Sequence, residues 1–226
     1  MSSLDFSIAS RPEFAFLTVQ LPQSEVIKVE SAAMASMDTN LKMTVRARGG
    51  LKRLITRENL FINEFQAQGG GGEICIAPGP SGDIAHQYID DNNTIYLSSG
   101  AFLASTNSVQ LDTKWQGMAK GFFSGGGLFL IKCSGEGDLW FNSYGAIFEV
   151  DVKGEYIVDT GHIMGFSSSL DYRISKMGGY KSLFFSGEGL VCRFSGEGKV
   201  WIQTKNPNSF VGWADAYRIV QRRSSN

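Results

Sequence analysis

Lys120-Gly-Phe-Phe-Ser-Gly-Gly-Gly-Leu128, followed by Ser134-Gly-Glu-Gly137 and Trp140, is the stretch on which the reading of this chain turns. It returns as Lys181-Ser-Leu-Phe-Phe-Ser-Gly-Glu-Gly-Leu190, with Ser195-Gly-Glu-Gly198 and Trp201 behind it. Six of seven residues agree between the heptads that start at Phe122 and Phe184, and the second tetrapeptide is identical. A fainter third copy begins at Lys52 and ends in Gly69–Gly72 and Glu73-Ile-Cys-Ile76. The chain therefore repeats itself.

Outward from those copies, a strand pattern repeats in step. Leu41-Lys-Met-Thr-Val-Arg46 alternates apolar and polar residues, which places Leu41, Met43 and Val45 on one face of a strand. Val109–Lys114 and Leu170–Ser175 alternate in the same phase. The first copy maps on the third with an offset of 129 and the second on the third with an offset of 61. Three β units result, approximately 17–79, 80–143 and 144–206, within one domain spanning 1–226. Units of this size bury an apolar face poorly alone. A mainly β fold is expected, with three internal repeats around a pseudo-threefold axis that protects the sheet edges. Phe14–Leu21 and Val26–Ser31 read as the first strands after a short lead-in. The glycines read as tight hairpin turns, Ser134–Gly137 among them. From Pro207 the pattern changes to Phe210, Trp213, Tyr217 and Val220, a helical stripe. A short C-terminal helix is expected over about 208–221, capped by Asn208 or Ser209, with Arg222 and Arg223 at its far end. Its stripe should pack on the β body or on a neighbouring subunit.

Composition narrows the class. The 226 residues carry a net charge of -1, which gives no global electrostatic reason to bind nucleic acid. Charged residues make up 19%, below the roughly 25% of typical soluble domains, so another subunit is expected to cover some surface. Cys75, Cys133 and Cys192 are too few and too far apart for a disulfide framework or a metal knuckle, and read as buried thiols. Met1–Gln20 lacks the apolar core of a signal peptide, and no run approaches the roughly 20 residues that span a bilayer. A cytoplasmic location is the expectation. A membrane contact would fall to the final helix or to an exposed apolar patch.

Lys120–Leu128, Ser143-Tyr-Gly145, Val158-Asp-Thr-Gly-His162, Phe184–Leu190, Val200-Trp-Ile-Gln-Thr204 and Pro207-Asn-Ser-Phe210 resemble the altered-inheritance-of-mitochondria twenty-four family. The likeness runs from about Phe14 to Trp213 in the family's order. It implies a β fold similar to that of the tryptophan RNA-binding attenuation protein, a double-stranded β-helix type of barrel or prism. Bacterial members look like homotrimers, and a fungal relative is a mitochondrial inner-membrane protein. This chain lacks the presequence expected of that relative, so its location is not carried over. RNA and tryptophan binding are not carried over either, because fold does not imply function.

The sharpest chemical suggestion is Asp159-Thr-Gly-His162, a carboxylate and an imidazole near Ser167–Ser169. The matching positions are Glu30 and Ala33 in the first copy and Ser98 and Ala101 in the second, which favours a structural turn. Gly69–Gly72 and Gly125–Gly127 meet no phosphate-loop or dinucleotide pattern, so no cofactor is expected. His86 and His162 have no partner at metal-ligand spacing, and Asp90-Asp-Asn-Asn93 reads as a polar hairpin tip. Arg46, Arg48, Lys52, Arg53 and Arg57 read as a solvated strand face, and Lys52, Lys120 and Lys181 as equivalent points of the three units. Trp115, Trp140 and Trp201 could serve a carbohydrate or small-molecule binder; the equivalence of Trp140 and Trp201, with Cys75 in the matching place, favours core packing. The expected function is a non-enzymatic scaffold or binding protein acting as a homotrimer. A small-molecule or carbohydrate binder is the alternative, and a hydrolase built on Asp159 and His162 comes behind it.

Overall fold

The computed structural model describes residues 3–46, 62–116, 128–176 and 190–218. The stretches Lys120–Gly127 and Lys181–Gly189, the three matched lysines and the basic run Arg48–Arg57 lie outside the described residues. What is described is mainly strand. After β1 (Asp5–Ala9) come β2 (Phe16–Leu21), β3 (Val26–Glu30), β4 (Met34–Met37), β5 (Leu41–Arg46), β6 (Ile62–Ala67) and β7 (Gly72–Ile76). Next are β8 (Ile84–Ile89), β9 (Ile95–Ser98), β10 (Phe102–Thr106), β11 (Gln110–Gln116), β12 (Leu128–Ser134) and β13 (Gly137–Asn142). The last group is β14 (Ile147–Asp159), β15 (Ile163–Ser167), β16 (Asp171–Lys176) and β17 (Leu190–Gln203), followed by α1 (Pro207–Asp215).

The strands form three sheets, ordered β1-β2-β7-β4, β5-β6-β3-β10-β13-β8 and β11-β12-β9-β15-β17-β14, with β16 also on β17. Three apolar cores alternate with these sheets. Leu17, Val19, Ile74 and Ile76 of the first sheet meet Ile27, Phe65 and Trp140 of the second. Leu139 and Phe141, on the opposite face of the second sheet, meet Leu97, Ile131 and Trp201 of the third. Leu130, Phe166 and Val200 then face Val158, Cys192 and Phe194 in the last core. The second sheet is apolar on both faces, so β10 and β13 are buried along their whole lengths.

The glycine-rich links are corners, which corrects the hairpin reading. β12 and β13 flank Gly135-Glu136, yet β12 pairs with β11 and β9 while β13 pairs with β10 and β8. The same holds for Gly69–Gly71 between β6 and β7, and for Asp90–Asn93 between β8 and β9. A corner carries the chain across a core about 10 Å thick to the next sheet. In the last group the chain makes this passage without breaking the ladder. β14 and β17 pair throughout, and Gly154 opposite Gly196 takes the bend with both residues at positive φ, 97° and 108°. Glycine alone adopts that backbone without steric cost.

Strand bounds differ from the sequence reading by a residue or two at several ends, and β1 is an element that reading left as lead-in. The helix ends at Asp215, short of 221, and its N-cap is Asn206, with Pro207 at the first turn, rather than Asn208 or Ser209. The Asn206 side chain accepts from the Asn208 N–H at 2.9 Å, and proline needs no donor partner there. No residue of α1 is buried; Phe210 touches Tyr144 edge-on at 5.7 Å between ring centroids. Among the described residues no helix is long and apolar enough to cross a membrane.

Trp140 and Trp201 are both buried, each in the core that precedes its own strand group, while Cys75 is half-buried. Trp140→Ala should therefore cost about 3–5 kcal/mol, read from urea denaturation. Cys75→Ala should cost under about 1 kcal/mol, because little packed volume is lost at a half-exposed site.

Candidate functional site

The two residues singled out in sequence, Asp159 and His162, close a short 3-10 turn between β14 and β15. Asp159 Oδ1 accepts from the Gly161 N–H at 2.8 Å, which caps the turn. His162 Nδ1 lies 2.8 Å from the Gln203 carbonyl oxygen, and Gln203 Nε2 donates back to the Gly161 carbonyl at 3.1 Å. Carboxylate and imidazole thus each hold backbone rather than one another. The comparable turn before β10 carries Ser98 and a buried Ala101, and in the first copy Glu30 ends β3 with Ala33 just before β4. Burial pushes the Glu30 carboxyl up to about 7.

A second cluster went unseen in the sequence because its members are far apart in the chain. Asp138, at the start of β13, is 1% exposed, and its neighbour across the ladder is Tyr88. His86 Nε2 donates to Asp138 Oδ1 at 2.8 Å, Ser3 Oγ to the same oxygen at 2.5 Å, and the Leu4 N–H to Oδ2 at 2.9 Å. Burial alone would push this carboxyl up, but the His86, Ser3 and Leu4 hydrogen bonds outweigh it and hold the group below the ordinary carboxylate range. Serine, aspartate and histidine meet here in the wrong order for a nucleophilic relay. The carboxylate sits in the middle and accepts from both partners, whereas such a relay needs the imidazole between the other two.

The cluster works as a clamp on β1. Phe6 packs against His86 with the rings tilted, centroids 4.4 Å apart, and meets Trp140 edge-on at 5.3 Å. At the far end of the same strand Arg11 grips the buried Asp83 through two bonds, 2.7 and 2.9 Å. The alternation of Phe6 and Ile8 with polar residues was the available signal for this strand. Beside the clamp lies an open cleft of about 790 Å³ lined by Asp5, Glu25, Asp38, Tyr88 and Asp138 among others. Its charged walls are carboxylates, which suit a cationic or hydroxyl-rich visitor better than an anion. Among the described residues, no three His, Cys, Asp or Glu side chains converge to hold a metal ion. All three cysteines are free thiols, and burial pushes Cys192 up to about 12 and Cys133 higher still.

Stacked antiparallel sheets with one short C-terminal helix make this a mainly β protein. The chain belongs to the family described as Mitochondrial biogenesis AIM24, whose pattern matches residues 6–205. It is 28% identical to an uncharacterised protein of Streptococcus pyogenes serotype M6, over 94% of this chain and 90% of that one. An X-ray crystal structure of a Streptococcus pyogenes protein, 27% identical, superposes with a TM-score of 0.81 over 95% of this chain and 100% of the other.

The two shifted carboxylates act in opposite directions with pH. Asp138 is depressed in the folded state, so its contribution is present above the unfolded value and is lost as pH falls through the folded one. Asp138→Ala should cost about 2–3 kcal/mol at neutral pH and flatten the acid limb below about pH 4, as followed by urea denaturation across pH. Glu30 is raised, so the folded state holds a proton that the unfolded state releases between about pH 4.5 and 7. Stability should decline across that window by about 1–2 kcal/mol after allowance for solvent screening. Glu30→Gln should remove that slope.

Proposed function

We propose that this protein is a non-enzymatic scaffold or binding protein that acts as a homotrimer, each chain contributing three equivalent β units. The supporting observation is a pairing scheme that returns along the chain. β2 pairs with β7, β3 with β6, β4 with β7 and β5 with β6. β8 pairs with β13, β9 with β12, β10 with β13 and β11 with β12. In the last group β14 and β17 each fuse two such strands, with β15 and β16 in the remaining places. A register shift falls at Met34/Ser36, Phe102/Ala104 and Ile163/Gly165, positions related by the sequence offsets of 129 and 61. This order suits the pseudo-threefold, tryptophan-attenuation-protein-like reading, in which units share sheets with their neighbours.

The scaffold reading draws on how the reactive groups are used. His86, Asp138, Asp159 and His162 are spent on capping turns and clamping strands. The acid-lined cleft favours a second reading, a binder of a small cationic or polyhydroxylated molecule. Native mass spectrometry of protein purified gently from its own host separates the two. The scaffold reading expects three times the 24.7 kDa of one chain with no added mass. A reproducible added mass on the trimer would favour the binder, and a monomer would overturn the homotrimer.

A further inference from the structure

Within the chain, neighbouring strand groups are joined by one kind of seam. β3 pairs with β10, placing Ala104, Ser105 and Thr106 opposite Val29, Lys28 and Ile27. β9 pairs with β15, placing Gly165, Phe166 and Ser167 opposite Leu97, Tyr96 and Ile95. The two seams correspond residue for residue under the sequence offsets, since Ala104 maps on Gly165 by 61 and Val29 on Leu97 by 68. Carried one step further, the same offsets put Ser36, Met37 and Asp38 opposite Val158, Ile157 and Tyr156.

That third seam is not made inside the chain. β4 is the last strand of the first sheet, and the final stretch of β14 lies at the other end of the molecule with β17 on one side only. Among the described residues, neither edge has a strand on its open side. Apolar side chains stand uncovered at the matching positions: Met37 is 36% exposed, Tyr156 38% and Ile157 42%. Their counterparts in the two internal seams are better covered, with Lys28 at 4%, Ser105 at 0%, Phe166 at 0% and Tyr96 half-buried. Cys75 tells the same story: Trp140 and Trp201 in its place are buried, while Cys75 is only half-buried.

We propose that a second copy of this chain fills this gap: β4 of one copy pairs antiparallel with the Tyr156–Val158 stretch of β14 in the next. The seam is head-to-tail, so it repeats until the ring closes. The occupant is another copy because the two edges complement each other in the register that the chain already uses twice. No like charges face each other in that register, and Met37 meets Ile157. Neither β4 nor the Tyr156–Val158 stretch of β14 carries the proline or lysine that commonly protects a free edge from pairing. The number of copies in the ring, three, rests on the homotrimer reading above; the identity of the edges does not.

The test uses full-length chain with Cys75→Ser, carrying Met37→Cys, Ile157→Cys or both, oxidised mildly and run on a denaturing gel. Opposed Cβ atoms lie about 4.5–5.5 Å apart across such a pair, a small shift from the roughly 3.5–4.5 Å of a disulfide. The double variant is expected to give covalent species up to a closed trimer, and each single variant none, since a head-to-tail seam never brings a residue to its own copy. Ile157→Lys in the unaltered chain is expected to shift light-scattering mass at least tenfold in concentration toward monomer, while circular dichroism stays that of the folded protein. A trimer that neither cross-links through this pair nor responds to Ile157→Lys would overturn the seam and leave the homotrimer standing. Cross-linking of either single variant would replace it with a symmetric contact. A monomeric parent protein would overturn both the seam and the homotrimer.

Discussion

A sheet that is apolar on both faces cannot end in water, and this constraint shapes the molecule. The second sheet presents Trp140 to one core and Leu139 and Phe141 to the next. Burying each such side chain contributes about 1.5–3 kcal/mol, so both faces need a covering layer. The layers come from the chain segments before and after. The first two strand groups therefore divide their strands between two sheets, and the second and third sheets are each completed by two groups. β13, from the middle of the chain, closes a core built largely by β2, β3, β6 and β7. Stability is distributed as in a stacked array, through interfaces between neighbours as much as through any group alone.

The corners make this division possible. A chain leaving one sheet for another must turn sharply without abandoning its hydrogen bonds, and the positive-φ glycines supply the turn. Gly135 has φ of 96°, and a Cβ there would lie 2.7 Å from the Ser108 carbonyl oxygen. At Gly154 and Gly196 both strands bend together, so the ladder survives the corner. The repeated Ser-Gly-Glu-Gly therefore marks one job done in two ways: a break between β12 and β13, and a bend inside β17.

How far this could be read from sequence follows from the range of each signal. Local alternation located β5, β11 and β16 closely, and the equivalence of Trp140 and Trp201 pointed to their burial. Glycine placement announced a change of direction but not its destination, because a hairpin and a corner ask the same φ of the backbone. Only long-range pairing distinguishes them. The Asp138 clamp was hidden for a related reason. Its partners Ser3 and His86 lie 135 and 52 residues away, and no local pattern ties them to it. Asp159 and His162 stood out because they are close in sequence, yet closeness within a turn gave each its own backbone partner.

β1 shows what the fold requires at an end. It pairs with β2 along the outside of the first sheet, and Leu4, Phe6 and Ile8 pack against the first core. Asp138 and Asp83 hold it at both ends, so this flank of the first group is sealed from within the chain. The opposite flank of the same sheet ends at β4 with Met37 uncovered, and the far end of the molecule leaves Tyr156 and Ile157 uncovered. A free edge offers a row of unpaired donors and acceptors, which natural proteins cover or blunt. One edge of the first sheet has received a dedicated strand and two clamping carboxylates, whereas these two edges have received neither. Among the described residues, these bare edges beside one so thoroughly closed are the ones the proposed seam would use.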